Sequence, residues 1–254
     1  MVPRMSPTLN LLVLFLAAAV AGAQNTLAGG GSFVTFPALL FAGLDARAAN
    51  VTSTVALFPG QIVSGWAGRG LVAGTASLSV RRLVLVSLAG GAVGAVLLLS
   101  TPAALFARMV PWLVLFATAV FAWGSFAPRP ATAGPQMGAG AATAMQFLIA
   151  IYGGYFGGGI GFLMLAALTM AGMAVRAAGA TKNVLAGVMN ASAVLIFVFS
   201  PDVHWREAGS VCAGAILGGL GGVWLLKRVP ERLLRAGIVV LGVALTIGLF
   251  LRRP

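Results

Sequence analysis

The sequence predicts an all-α polytopic membrane protein made of two inverted repeats, and three observations carry that prediction. The first is composition. Of 254 residues, 60% are hydrophobic and only 8% charged, whereas soluble domains carry about 25% charged residues. The second is the length of the apolar stretches, many of which approach the roughly 20 residues needed to cross a bilayer. The third is internal repetition. Residues 28–55 read AGGGSFVTFPALLFAGLDARAANVTSTV, and residues 157–184 read GGGIGFLMLAALTMAGMAVRAAGATKNV. Twelve of these 28 ungapped positions are identical, at an offset of 129 residues. Glycine-interrupted apolar segments at matching places in two halves point to a transporter's binding site.

In chain order, the first half shows apolar segments at 9–27, 32–44, 49–67, 82–100 and 103–126. The second shows them at 140–156, 160–174, 179–199, 207–226 and 231–251. Helices are expected, because only helices and closed barrels satisfy every backbone group in lipid. Barrel strands alternate apolar and polar residues, and runs such as LVLVSLAGGAVGAVLLL do not. The opening residues imitate a secretory signal. They are read instead as the first membrane segment, because residues 17–28 have a partner in residues 146–157. Segments 32–44 and 160–174 are short, follow glycine clusters and end near Gly43 and Gly172, so they read as half-helices or re-entrant segments. Pro37 supports a break in the first copy, and Ala166 stands in its place in the second. Prolines and glycines at 127–139 mark a linker, dividing the chain into repeats 1–126 and 140–254.

Five segments per half is an odd number. The second half then starts on the opposite side of the membrane, and the two glycine motifs face each other across a pseudo-twofold axis in the membrane plane. Under this scheme one side holds ten basic residues: Arg69, Arg81, Arg82, Arg129, Arg176, Lys182, Lys227, Arg228, Arg232 and Arg235. The other holds six: Arg4, Arg47, Arg108, Arg206, Arg252 and Arg253. The excess of Lys and Arg marks the cytoplasmic side, which places both termini outside the cytoplasm of a multi-pass protein in the cell inner membrane.

The net charge of +12 does not indicate nucleic-acid binding. That function needs basic residues gathered on one face, and here they are scattered between apolar runs. The single Cys212 excludes an internal disulfide and a cysteine-rich metal site. No Walker motif is present, and neither cofactor nor metal is expected.

The candidate site is built on the repeats. Gly29, Gly30, Gly31, Gly157, Gly158, Gly159 and Gly161 let the backbone unwind. A helix starting after such a break aims free N–H groups and its positive dipole end into the break. Ser32, Thr35, Thr52, Ser53, Thr181, Asn183 and Asn190 add polar groups that are costly in hydrocarbon unless they face a partner, water or a cavity. Gln61 and Asn190 occupy equivalent positions, both carboxamides. Arg47 and Arg176 share a repeat position, and Lys182 replaces Ser53 about one turn into its segment. A planar guanidinium fork or an ammonium at these places would hold an oxyanion. The competing roles are snorkelling or helix-end capping for the arginines, interhelical hydrogen bonding for the hydroxyls, and close helix packing for glycines such as Gly90, Gly91 and Gly94. Only four acids exist: Asp45, Asp202, Glu207 and Glu231. None is mid-segment, so carboxylate-based proton coupling is not expected, although a cargo could carry its own proton.

The pattern of glycine cluster, short apolar helix, Gly, Arg-Ala-Ala and Thr resembles the sulfite exporter TauE/SafE family of permeases. The resemblance covers both motifs and the spacing between them. It implies a secondary carrier, usually an exporter, of sulfite, sulfoacetate or another small organosulfur or organic anion. The partners are then a small anionic substrate and the lipid bilayer, with self-association into a homo-oligomer left open. Two other classes remain as alternatives. One is a membrane accessory or assembly subunit that carries nothing. The other is an intramembrane hydrolase built on Ser32 and His204, for which the needed nucleophile–base pairing has no sequence support.

Overall fold

A computed structural model describes residues 6–27, 30–75, 77–126, 138–226 and 231–251. They form ten α-helices: α1 Pro7–Leu27, α2 Ser32–Phe41, α3 Ala46–Gly68, α4 Val80–Ser100, α5 Ala103–Phe126, α6 Ala139–Tyr155, α7 Ile160–Met170, α8 Val175–Phe197, α9 Trp205–Leu226 and α10 Glu231–Leu251. A 3-10 turn, Arg69–Leu71, follows α3. Among the described residues there is no strand, and four helices are long and apolar enough to cross a membrane. Their outer faces carry the bare apolar side chains that lipid requires, such as Leu12, Leu16 and Val20 on α1 and Leu85 and Val96 on α4. Exposed Trp66, Trp123 and Trp205 lie close to helix ends, where tryptophan favours the membrane–water boundary.

The two short helices are as short as expected, with 10 and 11 residues. Both stop by the same device. Gly43 and Gly172 adopt φ of +99° and +86°, a left-handed conformation natural to glycine. The following amides reach back, Leu44 N–H to the Leu39 carbonyl (3.2 Å) and Met173 N–H to the Leu168 carbonyl (3.1 Å). This is a Schellman closure, which satisfies orphan carbonyls at a helix end. The helices that follow begin earlier than the apolar pattern suggests, at Ala46 and Val175 instead of 49 and 179. Each first turn carries an arginine, Arg47 or Arg176, that breaks the apolar run, so apolarity alone misplaces their start. Asp45 is the N-cap of α3, accepting from the Arg47 and Ala48 amides at 2.9 and 3.1 Å.

Packing repeats when the halves are exchanged. The α1–α9 pair corresponds to α6–α4, α3–α9 to α8–α4, and α2–α3 to α7–α8, while α3–α8 and α5–α10 correspond to themselves. The close pairs rest on small residues. A Cβ added at Gly22, Gly214 or Gly218 would strike the backbone of Ala215, Phe15 or Ala19 between α1 and α9. One added at Gly90, Gly94 or Gly154 would do the same between α4 and α6. Small residues let membrane helices approach this closely. At the centre, Phe33 and its repeat partner Phe162 both meet the ring of Phe121 edge-on, at 5.8 and 4.5 Å between centroids.

Helices α3 and α8, which are repeat equivalents, run in opposite directions. Gly65 lies against Val184, whereas Gln61, earlier in α3, lies against Gly187 and Asn190, later in α8. Equivalent threonines make equivalent links at their two ends. Thr52 Oγ1 donates to the Asp202 carbonyl and accepts from the His204 amide. Thr181 Oγ1 bonds the carbonyl and amide of Ala73, the repeat counterpart of Asp202. Each half thereby pins the loop that follows the central helix of the other.

Candidate functional site

Both helix breaks open onto one cavity of about 340 Å³. Gly30, Gly31 and Ser32 enter it from the start of α2, and Gly157, Gly159, Ile160 and Gly161 from the start of α7. Ser53, Gln61, Lys182, Asn183 and Asn190 line it from the middle of α3 and α8. Asn25 of α1 and Ile216 and Leu220 of α9 close one flank. The volume lies in the range of small-ligand pockets.

The backbone explains why glycine is duplicated here. Gly30 and Gly159 are equivalent positions, with φ of +86° and +73°, a region costing other L-residues roughly 1–2 kcal/mol. A Cβ at Gly159 would also sit 3.1 Å from the Ala117 carbonyl oxygen. The chain turns sharply at these points and then starts a helix, so both short helices begin at the same cavity. The two breaks are held differently. Asn25 Oδ1 accepts from the Gly31 amide at 2.8 Å, and Gln24 Nε2 donates to the Gly30 carbonyl at 2.9 Å. In the second half the counterparts of Gln24 and Asn25 are Gly153 and Gly154, which pack against Met189 and Gly91. That break is bordered by Lys182, whose ammonium would lie 3.5 Å from a Cβ at Gly161.

Lys182 is half-buried and is the only charged residue among the described residues lining the cavity. Its counterpart Ser53 is 2% exposed and hydrogen-bonds Thr35 at 2.7 Å. Gln61 and Asn190 touch directly, with Asn190 Nδ2 donating to Gln61 Oε1 at 2.6 Å. An ammonium, two helix starts and carboxamides around a space that no carboxylate lines among the described residues form a chemical environment for an anion.

Other expected site residues lie elsewhere. Arg47 Nε is 2.9 Å from Asp202 Oδ2, and its terminal nitrogens donate to Asp202 Oδ1 and the Thr101 carbonyl. It therefore joins the start of α3 to the loops before α5 and α9. Arg176 is exposed at the start of α8. Thr52 and Thr181 are wholly buried in their loop contacts, and Thr35 acts through Ser53. Gly158 packs beneath the Phe156 ring and Ala117. Gly29 falls outside the described residues. Asn25 is one of the polar residues flanking the first glycine cluster, in the run Gln24–Asn25, whereas the α9 lining is not marked in the apolar sequence of that helix.

A multi-pass helical membrane protein with a cavity that gathers polar side chains between paired helix breaks belongs to the class of membrane transporters. Comparison with known proteins gives the lineage. The family description "Sulfite exporter TauE/SafE" matches residues 14–249, and the chain belongs to that family. Similar proteins include the "Probable membrane transporter protein ORF9" of Sinorhizobium sp., 31% identical over 94% of this chain and 92% of that protein. A "Probable membrane transporter protein" of Haemophilus influenzae is 26% identical over 93% of this chain and 92% of its own. The "Probable membrane transporter protein YfcA" of Escherichia coli K12 is 28% identical over 96% and 90%.

Proposed function

We propose that this transporter carries a small oxyanion, with sulfite and sulfoacetate as the leading candidates, and binds it in the cavity between the breaks preceding α2 and α7. The observation that carries this reading is the lining: Lys182 is its one charge, no carboxylate borders it among the described residues, and two helix N-termini converge on it. The positive ends of those helices and the ammonium act together on a negative ligand. Asn183, on the same wall as Lys182, adds hydrogen bonds.

The same reading takes the molecule as two inverted repeats. The opposite directions of α3 and α8 and the matched contacts of Thr52 and Thr181 support it, since a pseudo-twofold axis in the membrane plane relates helices in that way. Repeats 1–126 and 140–254 are then the rocking units. The charge asymmetry supports a cytoplasmic placement for the end carrying Thr181 and Arg176, and an external one for the end carrying Arg47 and Asp202.

The test is thermal stabilisation of detergent-purified protein by sulfite, sulfate, thiosulfate, sulfoacetate, taurine and simple carboxylates. A ligand bound only by the folded state raises the melting temperature by mass action. A selective shift that disappears in Lys182→Ala and persists in Lys182→Arg is the expected result. Absence of a shift with every anion, together with no anion flux in proteoliposomes, overturns the reading.

A further inference from the structure

Gln61 and Asn190 stand at one position of the duplicated sequence, 129 residues apart, and meet each other on the cavity wall. Each carboxamide has a carbonyl end and an amino end. Their mutual hydrogen bond engages the carbonyl of one and the amino group of the other. Whichever way round the two amides sit, the ends left over are one carbonyl and one amino group. Asn190 is 5% exposed, and its second end meets no hydrogen-bond partner among the described residues. Buried polar groups are normally satisfied, and one that is not calls for an explanation.

We infer that this carboxamide pair reads a proton on the cargo, so that the site selects a monovalent oxyanion bearing one O–H group, of the hydrogensulfite type, over its proton-free counterparts. The inference rests on the proposal that the cavity binds an anion. A fully deprotonated oxyanion has only acceptors, and one of them would face the leftover carbonyl, lone pair against lone pair. A ligand O–H donates to that carbonyl instead once the amide pair turns it into the cavity, since the Asn190 oxygen is closed off while the pair is empty. The remaining ligand oxygens then take the leftover amino group, Lys182 and the amides at the start of α7. No carboxylate lines the cavity among the described residues, so a proton that travels with the cargo needs no titrating acid beside it.

The test compares binding of hydroxymethanesulfonate and methanesulfonate, two monovalent sulfonates that differ by one hydroxyl, and of sulfite across its second ionisation, all by calorimetry on the purified full chain. Hydroxymethanesulfonate should bind about five- to tenfold more tightly, the factor expected for roughly one net hydrogen bond. Sulfite affinity should fall as pH rises through its second ionisation, while that of both sulfonates stays level. In a Gln61→Met/Asn190→Leu variant that retains a cooperative melt, the ratio between the two sulfonates should collapse towards one. Exchanging the positions, Gln61→Asn/Asn190→Gln, should keep it. Equal binding of the two sulfonates, or sulfite affinity that is flat or rises with pH, overturns the proton-reading role and leaves the anion site standing. Binding of none of these anions overturns both.

Discussion

At the residue scale, the duplicated glycines do two separable jobs. Gly43 has a positive φ and open space around it, whereas Gly159 has a positive φ and a carbonyl oxygen against it. Gly43→Ala should therefore cost about 1–2 kcal/mol through backbone strain alone and lower the melting temperature without altering anion binding. Gly159→Ala should lose both stability and the ligand-induced thermal shift, because relieving its clash moves the start of α7. If both variants keep the shift, the α7 N-terminus takes no part in binding. The repeat made these glycines legible, since identity at a fixed offset singles out positions where backbone geometry, and not side-chain packing, is constrained. It could not show which repeated residues face the cavity. Thr52 and Ser53 are neighbours on one helix, yet Ser53 lines the cavity and Thr52 faces a loop from the other half. That choice is made by helix rotation, which local sequence does not encode. Likewise Arg47 looks like an anion ligand until Asp202, 155 residues away, is found beside it.

At the element scale, α1–α9 and α4–α6 pack through glycine, and α3–α8 through Gly65, Gly187 and the Gln61–Asn190 hydrogen bond. In lipid there is little hydrophobic gain from helix contact, so close fit and interhelical hydrogen bonds must hold the bundle. Gly154→Val would push a branched side chain into the Gly91 backbone and should destabilise by at least about 1–3 kcal/mol, as overpacking does. Gly140→Ala, near the open start of α6, should be neutral or slightly stabilising through helix propensity. Melting curves of the two variants check this, and equal behaviour would mean that α4 and α6 are not in close contact in the membrane. The short lengths of α2 and α7 were legible from their glycine borders. The early starts of α3 and α8 were not, because Arg47 and Arg176 interrupt the apolar run in the first turns, and Asp45 caps α3 alone.

At the scale of the whole molecule, the halves match in packing but not in closure. The Thr52 end adds the Arg47–Asp202 ion pair, with side chains 22% and 15% exposed, and the Thr181 end has Ala73 where Asp202 would be. Arg47→Ala leaves Asp202 without its cation and should destabilise by about 1–3 kcal/mol, below the 3–5 expected for a fully buried pair because both ends keep some solvent. A double-mutant cycle with Asp202→Ala should show coupling of at least about 0.5 kcal/mol. Additive losses would show that the two side chains are independent.

On the proposed two-repeat reading, the carrier has two mouths of like design, and the Arg47–Asp202 pair makes them unequal. A carrier that rocks between two states spends its idle time with the weaker mouth open, in proportion to the difference in closing free energy. On the carrier reading proposed above, the Arg47–Asp202 contact would bias the empty protein toward one compartment, by a factor of ten for roughly every 1.4 kcal/mol that it adds to one closure. Removing it should bring the two idle states closer to balance. A cysteine placed at Gln61 in a Cys212→Ala background would report this, reacting from one side only in the parent and from both sides once Arg47 is replaced.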